Sequence, residues 1–434
     1  MVNLRIIKNI TWLLFDKLFR ITVGMFVFVY MARSLDVEGI GLYSFIISFS
    51  VLLNAVANFG LKNQIIKDLV FYKRSVSRII NSAIVFRVSL GFIIYGLVVI
   101  YSSLFDSVSE DSYLLLVASA SVILSSSDVI KYLYEAKVRY KIVVLIENFS
   151  FILCSFGRFY AIIRGFDVEI FVYIYVLEIL LTTITLYTIQ FKKRILKFTV
   201  INKRYIKKLF FNCLPLVVSS ISWIAYTRSD QLMLKYISGV ESVGLYSVAL
   251  KLSDAIILIP SILVTTMIPI ISKVRPKNKI LYENKIKNLY GFTLTISMLL
   301  SFIICFMSST VVNILYGVAF IESATVLNIM VWCSLFYSMA TISGRYLVNE
   351  GLQKYTMYRH LSALGLNILL NLILIPLYNE VGAAVSSLIS LISANYFFDL
   401  INRKTRVCFY HKTFGLLYIP LKSIEFVGKL GVRK

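Results

Sequence analysis

Long apolar runs recur along the whole chain and constrain its fold more than any other feature. A helix needs about 20 mostly apolar residues to cross the hydrocarbon core of a bilayer. Hydrophobic residues make up 59% of the chain and charged residues only 15%. A soluble domain of this length could not bury that much apolar surface. The sequence therefore predicts an all-α polytopic membrane protein with twelve transmembrane helices, at 10–33, 40–61, 79–104, 112–134, 141–163, 168–190, 211–235, 244–271, 288–312, 323–347, 356–375 and 381–402.

Basic residues are concentrated in every second connection between these segments. Of the 45 Lys and Arg residues, 34 lie on the side of the N-terminus, in 1–9, 62–78, 135–141, 191–208, 272–287, 348–360 and 403–434. The opposite face carries mainly Asp and Glu, with Arg164 as its basic residue and Arg33 at a span end. Because Lys and Arg mark cytoplasmic connections, both termini are predicted to be cytoplasmic. The net charge of +23 is therefore explained by cytoplasmic connections that lie against anionic lipid headgroups and determine the topology. No nucleic-acid partner is expected.

One short phrase occurs twice, about half a chain apart. Residues 37–44 read VEGIGLYS and residues 240–247 read VESVGLYS. Six predicted spans separate the copies, so both have the same orientation, as in a parallel internal repeat of two six-helix lobes. Gly41 and Gly244 are expected to provide tight turns before the next helix.

The repeat predicts a domain organisation. The N-terminal lobe is 1–190, the basic cytoplasmic inter-lobe connection is 191–208, and the C-terminal lobe is 209–402. The tail 403–434 is basic, and its closing piece from Thr413 mixes apolar and charged residues, which is typical of an interfacial amphipathic helix. Two equivalent lobes around a midplane cavity predict a transporter that works by rocking of one lobe against the other.

Three stretches resemble a known family. They are WLLFDKLFRITVGMFVFVYMARSLDVEGIGLYS (12–44), RSDQLMLKYISGVESVGLYSVALKLSD (228–254) and NILLNLILIPLYNEVGAAVSSLIS (367–390). The chain resembles bacterial polysaccharide and O-antigen flippases of the Wzx type, in the multidrug/oligosaccharidyl-lipid/polysaccharide exporter superfamily. In the last stretch Asn371, Pro376 and 382–384 follow the pattern of the family's eleventh and twelfth helices.

The resemblance implies a function. It is translocation of undecaprenyl-diphosphate-linked oligosaccharide repeat units from the cytoplasmic to the periplasmic leaflet of the bacterial inner membrane, for O-antigen or capsule assembly. The implied partners are the lipid-linked substrate, membrane lipids, a glycan polymerase and a chain-length regulator. An ion-coupled multidrug exporter is an alternative, since it shares the fold. A glycan polymerase is disfavoured because the outer connections are short.

Ionisable residues inside the predicted spans are the candidate functional residues, because charges at membrane depth are costly and usually face a cavity or a partner. Arginine binds phosphate oxygens through parallel hydrogen bonds, so cations along a lumen would compensate a diphosphate. The candidate substrate-binding cations are Arg20, Arg87, Arg158, Arg228 and Lys251. The candidates for ion coupling or charge pairing are Asp16, Glu147, Glu178, Asp230 and Asp254.

Several of these charged residues could have a purely structural role. Asp16 with Arg20, and Lys251 with Asp254, have spacings that allow structural ion pairs on one helix face. Glu178 has no basic neighbour one turn away, which favours proton coupling. Four further charges are close enough to span ends to reach the interface with their polar heads: Lys17, Lys235, Arg345 and Asp399.

No cofactor, metal site or enzymatic centre is predicted. The five cysteines include no CxxC pair, the two histidines lie far apart, and no GxxxxGK[ST] motif occurs. Energy is expected to come from an H+ or Na+ gradient, or from consumption of the product on the far side.

Overall fold

The chain folds almost entirely into helices. The structure is a computed structural model that describes residues 4–72, 75–105, 110–192 and 201–417. Within these ranges every regular element is a helix, which confirms the all-α class. In chain order the α-helices are α1 (Leu4–Asn58), α2 (Leu61–Phe71), α3 (Val76–Phe105), α4 (Glu110–Ser119), α5 (Ser121–Leu124), α6 (Asp128–Ala136), α7 (Lys141–Arg164), α8 (Val168–Lys192), α9 (Lys203–Ile237), α10 (Val240–Ser272), α11 (Lys279–Tyr316), α12 (Ser323–Met330), α13 (Cys333–Asn349), α14 (Lys354–Ile392), α15 (Phe398–Ile401) and α16 (Arg406–Leu417).

Most of these helices are long and apolar enough to span a bilayer. Among the described residues, nine helical stretches meet that requirement, or ten if the bent pair Lys203–Leu214 and Val217–Ile237 is one span. Two of the nine, Phe15–Asn58 with 44 residues and Lys354–Ile401 with 48, are about twice the length that one crossing needs. The multi-pass class is therefore confirmed, whereas the count of twelve spans and the cytoplasmic termini stay predictions.

Each of the two longest helices contains a residue with a non-helical backbone. Asp36 interrupts α1 with φ 57° and ψ −173°, and Asn379 interrupts α14 with φ 48° and ψ −128°. Both positions fall in gaps between predicted segments, 33–40 and 375–381 respectively. The chain thus changes direction where the sequence analysis ends one span and begins the next.

The prediction that Gly41 and Gly244 form tight turns is wrong. Both glycines lie inside helices, in α1 and α10. The backbone leaves the helical region at Asp36 and at Gly239, which has φ 93° and ψ 178°. The residue that would benefit from being glycine is therefore the one before each copy of the repeated phrase, because a positive φ is costly for a residue with a Cβ.

The chain divides into two compact units, Met1–Arg228 and Ser229–Lys434. The boundary falls within α9, and the assignment of lobes to 1–190 and 209–402 stays a prediction. Each unit has an apolar core of its own. In the first unit the core joins α2, α3, α6 and the start of α9, and its buried residues include Ile65, Ile80, Leu133 and Leu209. In the second unit the core joins α10, α11 and α13, and its buried residues include Val264, Leu294, Met339 and Ile342.

The last described helix, α16, packs closely on α11. A Cβ added at Gly415 would lie 2.7 Å from Tyr290 Cβ, so this close approach requires glycine. The inward-facing residues of α16 are Cys408, His411 and Lys412. Of the predicted interfacial helix, 413–417 belong to α16, and 418–434 lie outside the described residues.

Candidate functional site

One apolar span of the first unit is interrupted in its middle. Between α4 and α6, the serine-rich stretch SVILSSSD forms the short α5 and a 3₁₀ turn at Ser125–Ser127. Irregular backbone at membrane depth is tolerated where it is buried in protein or lines a cavity. Here α8 satisfies it: Thr183 donates to the Leu124 carbonyl at 2.8 Å, and the hydroxyls of Thr183 and Ser127 are 2.9 Å apart.

The interrupted span meets acidic and basic side chains from α1, α6 and α7. Lys131 Nζ lies 2.9 Å from Asp128 Oδ1 and 2.6 Å from Glu147 Oε1. Arg20 lies 3.0 Å from Asp16 through Nε, and its Nη2 is 3.8 Å from Glu147 Oε2. Their side chains are 14–31% exposed, so the network is half-buried. Beside it lies a cavity of about 120 Å³ lined by Arg20, Ser125, Ser127, Asp128, Lys131, Glu147, Glu178, Ile179 and Thr182.

A second ion pair joins α7 and α8 beside this cavity. Arg158 Nη2 donates to Glu178 Oε2 at 2.7 Å, and both side chains are mostly buried. Tyr43, from the first copy of the repeated phrase, lies within electrostatic range of both. Glu178 therefore does have a basic partner, on the neighbouring helix and not one turn away on its own.

Three arginines of the first unit keep buried donors that no described residue accepts. Arg87 is 1% exposed, and its Nη2 donates to Asn54 Oδ1 at 3.1 Å. Within the described residues, its Nε and Nη1, the Nη2 of Arg20 and the Nε of Arg158 are buried without a hydrogen-bond acceptor. A buried unpaired donor of a charged group is costly, and an anionic ligand that reached these groups would satisfy them.

In the second unit a buried carboxylate is surrounded by neutral donors. Asp230 is 3% exposed and accepts from Asn371 at 2.7 Å, from Asn367 at 3.0 Å, and from the hydroxyls of Ser387 and Tyr246. Tyr246 belongs to the second copy of the repeated phrase. Each copy thus places its tyrosine near a buried charged group, which gives the repeat a physical role beyond packing.

Another buried charge cluster lies where α14, α15 and α16 meet. Arg359 and Lys412 both pair with Asp399, Lys412 at 2.7 Å, and all three residues are at most 2% exposed. The prediction that Asp399 reaches the interface is therefore wrong, because its two partners hold it inside. Burial lowers the pKa of the Lys412 ammonium to about 8 and the pKa of the neighbouring His411 imidazole to about 4.

The structure brings together only part of the predicted set. Asp16, Arg20 and Glu147 form one network, and Arg158 with Glu178 forms another. Lys251 and Asp254 are exposed on α10, and Arg228 is half-buried at the end of the first unit. The roles proposed for these residues stay predictions.

Sequence reasoning missed several members of these clusters. Lys131 lies three residues after Asp128, a spacing that puts both on one helix face and could have identified it. Asn367 and Asn371 are four apart, which gives the same signal. Lys412 and Arg359 gave no such signal, because their partner Asp399 lies 13 and 40 residues away.

The sequence predicts no metal site, and the side chains around Asp230 are the ones that bear on ion binding. Among the described residues there is no group of three or more His, Cys, Asp or Glu side chains that could hold a metal ion. The carboxylate of Asp230 instead accepts from the amide N–H groups of Asn367 and Asn371 and from two hydroxyls, and Asn371 Oδ1 is buried without a donor among the described residues. A proton, or a hard cation held by oxygen atoms, suits this set better than a soft metal ion does.

A family model described as "Polysaccharide biosynthesis protein" matches residues 6–275, well over half of the chain. Over 178 residues the chain is 28% identical to a probable low-salt glycan biosynthesis flippase, Agl15, of Haloferax volcanii, covering 40% of this chain and 37% of the relative. It is 29% identical over 181 residues to an uncharacterized membrane protein of Methanocaldococcus jannaschii, covering 42% of each. The aligned segment thus spans about two fifths of these curated relatives.

Solved structures resemble nearly the whole chain. The lipid II flippase MurJ in an inward closed conformation has a TM-score of 0.74 at 16% identity, covering 96% of this chain and 92% of that one. An inward-facing multidrug resistance MATE family transporter of the MOP superfamily has a TM-score of 0.67 at 13% identity, covering 92% and 94%. At these identities the likeness shows the fold alone, which is that of MOP-superfamily transporters.

Proposed function

The chain belongs to the polysaccharide biosynthesis protein family, and from that membership we propose that it is a flippase for a lipid-linked oligosaccharide. Its substrate would be an undecaprenyl-diphosphate-linked repeat unit, carried from the cytoplasmic to the periplasmic leaflet of a bacterial inner membrane for O-antigen or capsule assembly. Alternating access of the two lobes would move the headgroup. A glycan polymerase and a chain-length regulator would act on the product after it crosses.

The observation that carries this proposal is the set of incompletely paired arginines in the first unit. Arg87 and Arg158 each keep a buried N–H without an acceptor among the described residues. Organic cations, the substrates expected of a drug exporter, would be repelled by these guanidinium groups. A diphosphate instead supplies the acceptor oxygens that the guanidinium groups lack. In a low-dielectric passage this compensation is worth far more than in water.

Ion coupling is assigned to acids in both units. Asp230 is buried among neutral donors, so protonation or binding of Na+ would remove an uncompensated negative charge. Glu178 is paired with Arg158, so an anionic ligand that draws the arginine away would release the carboxylate to take up a proton. In either case the driving ion and the substrate charge would be linked.

Deletion of the gene in its own cell, with complementation, separates the function classes. The flippase proposal predicts loss of surface glycan and accumulation of lipid-linked repeat units in the inner leaflet, both reversed by the wild-type gene. A multidrug exporter would instead leave the glycan intact and change resistance to cationic compounds. A polymerase would leave single repeat units on the surface without chain extension. Either of the last two outcomes would overturn the proposal.

A further inference from the structure

The cavity beside the interrupted span has a composition that differs from a phosphate site. Its volume of about 120 Å³ corresponds to roughly four water molecules at their liquid volume. The 3₁₀ turn at Ser125–Ser127 and the two neighbouring helices α7 and α8 form much of its wall. The whole site lies within the first unit, so it exists without any contribution from the second.

Charges around this cavity are close to balanced. Three carboxylates line it (Asp128, Glu147 and Glu178) and two cations line it (Arg20 and Lys131). Two partners just outside the lining add one charge of each sign: Arg158 pairs with Glu178 at 2.7 Å, and Asp16 pairs with Arg20 at 3.0 Å. A phosphate here would meet three carboxylates, and a divalent cation would meet two cations at close range. Neither charged ligand class suits the lining.

The side chains that line the cavity offer hydrogen-bond donors and hydrogen-bond acceptors close to one another. Each carboxylate holds its cation at under 3 Å through a single oxygen: Asp128 through Oδ1, Glu147 through Oε1 and Glu178 through Oε2. Arg20 has a buried Nη2 without an acceptor among the described residues, and its guanidinium lies 5.4 Å from the Phe151 ring centroid. Thr182 adds a buried side chain with a hydroxyl.

A hydroxyl group can donate one hydrogen bond and accept two, so it matches a wall of this kind in a way that a purely anionic or cationic group cannot. Vicinal hydroxyls of a sugar could donate to carboxylate oxygens while they accept from Arg20 and Lys131. We propose that this cavity receives the hydroxyl-bearing edge of one sugar of the substrate headgroup, while the diphosphate is met outside the cavity by Arg87 and by the Nε of Arg158. This inference rests on the proposed flippase function and specifies which part of the substrate the first unit binds.

Filling the cavity tests the proposal without disturbing its ion pairs. Thr182→Leu adds bulk at the lining, and Thr182→Val removes the hydroxyl at similar volume. Thr185→Leu is the matched control, because Thr185 lies one turn further along α8 and its hydroxyl bonds back to Leu181 at 2.8 Å. The purified protein in nanodiscs is titrated with undecaprenyl diphosphate alone and with the same lipid carrying one N-acetylglucosamine, glucose or galactose.

The wild type is expected to bind at least one sugar-carrying lipid about tenfold more tightly than the bare diphosphate, the effect of one net hydrogen bond to a charged group. Thr182→Leu should abolish this difference and leave affinity for the bare lipid unchanged, Thr182→Val should reduce it, and Thr185→Leu should keep it. If the wild type binds bare and sugar-carrying lipids equally, or if neither Thr182 variant changes the preference, the subsite is wrong while the flippase proposal stands. If it binds none of the lipids, the proposed function fails and the subsite with it.

Discussion

Asp36 and Gly239 adopt the same unusual backbone conformation at equivalent places in the two copies of the repeat. Their φ and ψ angles are 57° and −173° for Asp36, and 93° and 178° for Gly239. Each residue comes directly before the repeated phrase, and the offset between them is the same 203 residues that separates VEGIGLYS from VESVGLYS. The phrase therefore marks a shared local structure: a sharp break, followed by a helix that carries a tyrosine to a charged group.

This conformation is almost restricted to glycine, so the aspartate copy should be strained. Asp36→Gly is expected to stabilise the protein by about 1 kcal/mol, because Asp36 is exposed and loses no packing. Gly239→Ala should destabilise it by about 1–3 kcal/mol through φ alone, since a Cβ there meets no atom within 4 Å. Thermal unfolding of the purified protein in detergent measures both. A destabilised Asp36→Gly variant would mean that the aspartate makes a contact worth more than its strain.

The distribution of basic residues predicts the sidedness of the chain. A cysteine at Glu241 should react with an impermeant maleimide added from the periplasm, whereas one at Lys203 should react only after the membrane is opened. Both positions are exposed at helix starts, so access by the reagent depends on the membrane side alone. The parent protein is the control, because four of its five cysteines are buried and Cys305 is half-buried. Reversed labelling would invert the direction of transport.

The pair Arg158–Glu178 separates a transport role from a structural one. If Arg158 meets the diphosphate, Arg158→Ala should abolish glycan export at normal membrane abundance, and Arg158→Lys should retain part of it, because lysine keeps the charge without the bidentate geometry. Arg87 and Arg228 should behave in the same way. Export and abundance are measured together by glycan staining and immunoblotting.

The same pair offers a control for stability. A purely structural Arg158 would leave Glu178 buried and uncompensated when it is removed, so Arg158→Ala would lower abundance. The double variant with Glu178→Gln would then restore both abundance and export. Recovery of export in that double variant would contradict a direct role of Arg158 with the substrate.

Asp230 should govern the dependence of transport on the coupling ion. Asp230→Asn keeps the shape of the side chain and removes its charge, so export should fall and should no longer respond to the Na+ or H+ gradient. Glu322→Gln is the matched control, since Glu322 is an exposed acid in the same unit and is not a candidate for ion coupling. Transport of a fluorescent lipid-linked sugar into proteoliposomes, with each gradient imposed separately, measures the effect. Unchanged gradient dependence in Asp230→Asn would exclude the residue as the coupling site.

Lys412 predicts a rise of stability with pH. Its pKa is lowered from 10.5 to about 8 by burial, so the folded state binds the proton less tightly than the unfolded state does. Below pH 8 the buried ammonium lowers the free energy of unfolding by its full amount. As the pH rises from 8 towards 10.5, the free energy of unfolding increases by up to about 3 kcal/mol. Comparison of thermal unfolding of the wild type with that of Lys412→Met from pH 7 to 10.5 isolates this contribution. The stability difference should change across that window, and a constant difference would contradict the assignment.

Local spacing in the sequence predicted some of these features and tertiary packing determined the rest. The apolar runs located the spans, and the four-residue spacing of Asp16 and Arg20 anticipated a pair that lies at 3.0 Å. Arg158 and Glu178 are 20 residues apart on different helices, and only the packing of α7 against α8 brings them together. The gap between the first two predicted spans anticipated a turn, but the turn was assigned to Gly41 and not to Asp36, because an aspartate with a positive φ gives no signal in the sequence.

The pairing of Asp399 with Lys412 has a consequence for how the chain is made. During synthesis Asp399 leaves the ribosome before Lys412, so the last part of the membrane domain is inserted when, of these two cationic partners, Arg359 alone is present. The domain can reach its final arrangement only when α16 has emerged and folded back onto α11. A nascent chain that stops before residue 412, or a fusion joined upstream of Leu417, should therefore be recognised by membrane quality-control proteases as incomplete, even though the membrane-spanning residues up to Ile401 are already in place.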